Sequence, residues 1–148
     1  MKFIIATLSL VILYACKFNT EGEVTPTLVS VTQPTQNTNL KVSMERGGLV
    51  YLDFCMQCHL GNGAGVPGTF PPLAQSDWLI DKRTESIHAV KYGQKGEITV
   101  NGKSYNGLMA PMGLTNEEVA DVMNYIMNSW GNTQAKMVTP EEVEAVEK

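Results

Sequence analysis

Cysteine is scarce in this chain, three in 148 residues, and histidine scarcer still, with two. Three thiols do not make the paired framework of a disulfide scaffold, and so few nitrogen and sulfur donors leave a zinc site short of ligands. Basic residues are outnumbered, 11 Lys and Arg against 15 Asp and Glu, and the formal net charge of -4 has the wrong sign for neutralising nucleic-acid phosphates. Aromatic residues make up only 7% of the chain, so a domain of this size has a marginal core unless something else fills it. The uncharged run after Lys2, from Phe3 to Ala15, is thirteen residues long, too short for a membrane span.

What that run does fit is the apolar core of an export signal, predicted over residues 1–15. Its end, Leu13-Tyr14-Ala15-Cys16, resembles the lipobox of bacterial lipoproteins, although Tyr14 stands where a small residue is usual. The resemblance implies that Cys16 becomes an acylated N-terminus, with the protein exported and lipid-anchored on the periplasmic face of a membrane. Residues 16–42 are rich in Thr, with Pro26, Pro34 and Gly22, and show no sustained period, so they read as a flexible tether. As a coil such a segment reaches roughly 25–30 Å.

From Met44 the pattern is helical, with Leu49, Tyr51, Leu52 and Phe54 leading into Cys55-Met56-Gln57-Cys58-His59. Cysteines at i and i+3 on a helical turn point the same way. Both can add to the vinyl groups of one haem, with the next histidine placed beneath the iron. A large apolar cofactor at the centre would also supply the core that the composition lacks. The same Cys55-Cys58 pair could instead be a redox dithiol, but that motif follows a strand and opens a helix, whereas here the helical pattern runs into it.

Further along, a helix is expected from Asp81 or Thr84 to Tyr92, stopped by Gly93, with His88 on its surface side. Glu97–Val100 and Lys103–Tyr105 flank Asn101-Gly102, which suits a two-residue type I′ hairpin turn. Thr115-Asn116-Glu117-Glu118 is a capping box opening a helix to about Trp130, and Thr139-Pro140-Glu141-Glu142 opens a short one expected to lie on the outside. Charge is uneven: five basic residues lie between Lys82 and Lys103, and seven carboxylates from Glu117 onward. Such runs are either solvated faces or a means of orienting a partner.

The segment from Met44 to Asn132 resembles the small monohaem class I cytochromes c of bacteria. Gly47 and Tyr51 before the pentad, Gly61-Asn62-Gly63-Ala64-Gly65 after it, and Phe70-Pro71-Pro72-Leu73 all have counterparts in that family. The resemblance implies an all-α class I fold around one covalent haem c, with a small β-hairpin. It places a cytochrome c domain over residues 43–132 and leaves 133–148 as an extension with a short helix. It further implies thioether bonds at Cys55 and Cys58, His59 as an iron ligand, and the Pro71 carbonyl accepting from the His59 ring. The sixth ligand is expected in Gly107-Leu108-Met109-Ala110-Pro111-Met112. Met109 keeps the family spacing from Gly107, while Ala110 replaces the usual proline and Pro111 precedes Met112, so Met112 stands as the alternative.

The implied function is a tethered carrier of single electrons between redox proteins, rather than an enzyme. The alternative is a haem c subunit that binds a ligand or admits electrons to an enzyme complex. Val66-Pro67-Gly68, the run from Val100 to Gly107, Asn128-Ser129-Trp130-Gly131-Asn132 and Val138–Val143 are similar to cytochrome c domains that work with copper-containing nitrite reductases. That enzyme is the first expected partner. Related domains serve quinoprotein dehydrogenases and terminal oxidases.

Overall fold

The computed structural model describes residues 34–148, with side chains from residue 38. Cys16 and the export segment at residues 1–15 lie outside the described residues. Among the described residues no helix is long and apolar enough to cross a membrane.

The elements run α1 (Pro34–Phe54), α2 (Met56–His59), α3 (Asp77–Asp81), α4 (Arg83–Tyr92), β1 (Gln94–Lys95), β2 (Ile98–Val100), β3 (Lys103–Tyr105), β4 (Leu108–Met109), α5 (Asn116–Ile126) and α6 (Pro140–Glu144). The molecule is built on the crossing of α1 and α5, its most extensive contact between elements. Gly47 allows that crossing, because a Cβ there would run into the Asp121 backbone carbonyl. Polar bonds fix the register of the two helices. The buried Asp121 carboxylate accepts from Arg46 at 2.5 and 2.8 Å and from Ser43 Oγ at 2.6 Å. Tyr51, Val119, Val122, Met123 and Ile126 fill the apolar side of the crossing.

α1 begins at Pro34, inside the stretch read as tether to residue 42. Composition misleads here because extending a helix already nucleated by packing costs little per residue, and proline is preorganised for a first turn. The expected continuous helix from Met44 to His59 is interrupted at Cys55, which lies between α1 and α2. α4 starts at Arg83 and Gly93 follows its last residue, as expected, but the five-residue α3 before it has no sequence signature of its own.

The hairpin forms as β2 against β3 through Asn101 and Gly102, with φ of 49° and 71°, the left-handed pair that a type I′ turn needs. A second ladder, unforeseen, pairs Gln94 with Met109 and Lys95 with Leu108. The Thr115 capping box is present in full. α5 stops at Ile126, short of Trp130, because the Asn128 and Ser129 side chains take the carbonyls of Asn124 and Tyr125 at 3.0 and 2.7 Å.

The largest correction concerns the C-terminal extension. It is not a decoration on the outside: Val138 and Val143 are fully buried and Val146 nearly so, all in the same core cluster as α5. Asn124 holds it from within, accepting from the Val138 amide at 2.7 Å and donating to the Val138 carbonyl at 2.9 Å. Arg83 of α4 clamps Glu142 through two bonds, 2.7 and 3.0 Å, and Lys91 caps the Val143 carbonyl at 2.8 Å. Part of the uneven charge is therefore absorbed within the fold, basic α4 against the acidic extension.

Candidate haem site

Cys55, Cys58, His59, Pro71, Met109 and Met112 are brought to one cavity of about 500 Å³, inside the roughly 300–1,000 Å³ range of cofactor pockets. Its walls are mostly apolar and come from every part of the domain, including Phe54, Leu79, Val90, Val100, Val122 and Ile126. An apolar cavity of this size suits a large apolar cofactor, whose bulk would complete the core of a chain this short.

His59 is buried, and its Nδ1 lies 2.9 Å from the Pro71 carbonyl. A carbonyl can only accept, so this contact makes Nδ1 the donor and leaves Nε2 with a lone pair for a metal. Burial pushes the His59 pKa down, against the Pro71 bond, which acts to raise it, so the neutral ligating form is the one that this environment favours. Just beyond, Tyr51 donates its hydroxyl to the Leu60 carbonyl at 2.6 Å, tying the turn after His59 back to α1.

Cys58 is exposed and Cys55 half-buried at the cavity. Burial, with a smaller contribution from Cys58, raises the Cys55 thiol to about 11. A thiol raised in this way is not activated for attack, so Cys55 is not the nucleophile of a redox dithiol. His88 does not line the cavity; its ring stands 5.3 Å from that of Tyr92.

Met109 belongs to β4, where side chains alternate. Leu108 is 74% exposed, and Met109 accordingly turns inward and packs on the core cluster. Met112 is half-buried and follows the ladder rather than sitting in it. Sequence reasoning missed Trp78, Gln94 and Tyr105 as lining residues. The scarcity of aromatic residues was the available signal for Trp78 and Tyr105, whereas nothing in the sequence marks Gln94.

The two thiols three residues apart, the imidazole with one nitrogen committed and the thioether beside an apolar void fit a covalently bound haem. Comparison with known proteins agrees. The chain matches the cytochrome c family over residues 44–130 and belongs to that family. It is 38% identical over 113 residues to a cytochrome c-552 of Thermus thermophilus, covering 70% of this chain and 76% of that one. The cytochrome c subunit of a quinone alcohol dehydrogenase from Gluconobacter oxydans is 31% identical over 66% of this chain, which spans 21% of that subunit. The cbb3-type oxidase subunit FixP of Bradyrhizobium diazoefficiens is 30% identical over 62% of this chain and 32% of its own length. The protein is thus an electron-carrying class I cytochrome c with covalent haem c.

Proposed function

We propose that Cys55 and Cys58 carry the haem, that His59 and Met109 are its axial ligands, and that the chain shuttles single electrons between redox proteins outside the cytoplasm while tethered through Cys16. The observation that carries the site is the 2.9 Å contact between His59 Nδ1 and the Pro71 carbonyl inside the cavity shared with both cysteines and Met109. Haem bound there supplies a one-electron iron couple. The chain's own part is to fix His59 in one tautomer, exclude water with an apolar wall and present a thioether, which favours the ferrous state and raises the potential. Met109 is preferred to Met112 because strand pairing with Gln94 fixes its backbone.

The test is spectroscopic. Ferric haem with a thioether ligand has a weak long-wavelength charge-transfer band, and Met109→Ala should abolish it and lower the potential while Met112→Ala keeps it. The reverse result assigns the ligand to Met112. Haem that is freed by acidified organic solvent overturns the covalent assignment at Cys55 and Cys58.

For the partner, similarity to a dehydrogenase cytochrome subunit and to an oxidase subunit supports a redox enzyme. Copper-containing nitrite reductase remains the first candidate, supported by the loop segments around Val66, Val100 and Asn128. Reduced protein mixed with that enzyme and nitrite should reoxidise in stopped flow, more slowly at high salt. No reoxidation at any ionic strength removes the candidate. Anchoring is supported by the sequence Leu13-Tyr14-Ala15-Cys16 alone: Cys16→Ser should release the protein from membranes, and an unmodified mature N-terminus found elsewhere by mass spectrometry refutes it.

A further inference from the structure

Gly93 stands at the end of α4 with φ of 89° and ψ of 166°, its amide bonded to the Ala89 carbonyl at 2.9 Å. α4 is held firmly. Ile87 and Val90 are buried in the core, Lys91 caps the Val143 carbonyl, and the Tyr92 hydroxyl donates to the Val146 carbonyl at 3.2 Å. The chain then enters β1 at once and pairs Gln94 with Met109.

Gly93 also touches the methionine loop directly. A Cβ built on it would lie 2.6 Å from the Met109 carbonyl oxygen, 3.0 Å from Pro111 Cδ and 3.1 Å from Pro111 N. The first and last of these are backbone atoms, which cannot swing aside as the end of a flexible side chain can. A side chain at residue 93 must therefore push the segment Met109–Pro111 as a unit or distort the end of α4. Gly93 itself does not line the cavity, whereas Met109, Ala110 and Met112 do.

We propose that Gly93 is a positioning residue for the sixth iron ligand: the anchored end of α4 supports the Met109 backbone by close contact and by the β1–β4 ladder, and so sets where the thioether sits. The inference rests on the reading of Met109 as a ligand. It also links the C-terminal extension to the haem site, since Lys91 and Tyr92, the two residues immediately before Gly93, bond to that extension.

The experiment compares three holoprotein variants by the ferric charge-transfer band, the reduction potential and thermal unfolding. Gly102→Ala is the control for backbone strain, because Gly102 also has positive φ, 71°, but a Cβ there meets nothing within 4 Å and it does not line the cavity. Loss of the band and a lowered potential in Gly93→Ala and in Met109→Ala, with both retained in Gly102→Ala, is the expected result. A normal band and potential in Gly93→Ala overturn the proposal and leave the ligand assignment standing. Loss of the band in Gly93→Ala and Gly102→Ala alike reduces the effect to general strain and also overturns it. If Met109→Ala keeps the band, the ligand assignment fails and the proposal fails with it. Should Gly93→Ala yield no holoprotein, hydrogen exchange on the wild-type protein decides. Residues 93–95 and 108–112 opening together support the clamp, and 108–112 exchanging freely while 93–95 stay protected refutes it.

Discussion

Tyr51 serves two structures at once. Its ring packs against Tyr125 and Trp130, with centroids 5.4 and 4.9 Å away, and its hydroxyl reaches the Leu60 carbonyl, where the backbone takes an unusual positive φ of 64° for a non-glycine residue. Tyr51→Phe keeps the packing and removes the bond, so it should cost about 1 kcal/mol in denaturant unfolding, the usual net worth of such a bond. Gly47→Ala should cost more, about 2–3 kcal/mol by the same measurement, because its Cβ meets the backbone of α5 and the helices must part. Both positions were marked in the sequence through the family resemblance, which matches Gly47 and Tyr51 at their offsets from Cys55. What the offsets could not give is the acceptor, since Leu60 lies beyond the motif and carries no polar side chain to draw attention.

At the scale of elements, legibility followed the strength of local chemistry. Capping boxes at Thr115 and the Asn101-Gly102 turn state their structure in the side chains themselves, and both formed as read. α3 and the β1–β4 ladder are five residues and two-residue strands, shorter than any period needs in order to show, and tertiary contacts alone create them. The C-terminal extension was misplaced for a related reason: Val138, Val143 and Val146 are too few for a stripe, and only the partner surfaces on α4 and α5 give them a meaning. A chain ending at residue 132 should lose about 3 kcal/mol or more in thermal or denaturant unfolding, from the three valines and the clamp at Glu142. A truncated form as stable as the full chain would mean that the extension adds nothing to the core.

Over the whole molecule, acid sensitivity has a named source. The Arg83 hydrogen bonds hold the Glu142 carboxyl below its ordinary value of 4.5. A folded-state pKa that is depressed contributes stability fully present above the unfolded value and lost as pH falls through the folded one. The thermal midpoint should therefore drop as pH falls below about 4.5, and Glu142→Gln should start lower at neutral pH but decline less in acid. The cavity makes a second global demand. With about 500 Å³ bounded by residues from α1 to α5, the chain without haem lacks the centre of its core. Cys55→Ser/Cys58→Ser protein made without covalent haem should show weak near-ultraviolet circular dichroism and an unfolding transition that is broad or absent.

That enclosure also dictates an order of assembly. Cys55 lies half-buried in a cavity lining that α5 and the strands complete, so of the two thiols proposed to carry haem it is the less accessible in the closed fold. On the proposed assignment, attachment at Cys55 is favoured while the chain is still open, and closing the fold around the cofactor then encloses the bond. Since the chain without haem lacks the centre of its core, closure of α1 on α5 follows the cofactor, which is a part of the folding itself and not an addition to a finished fold.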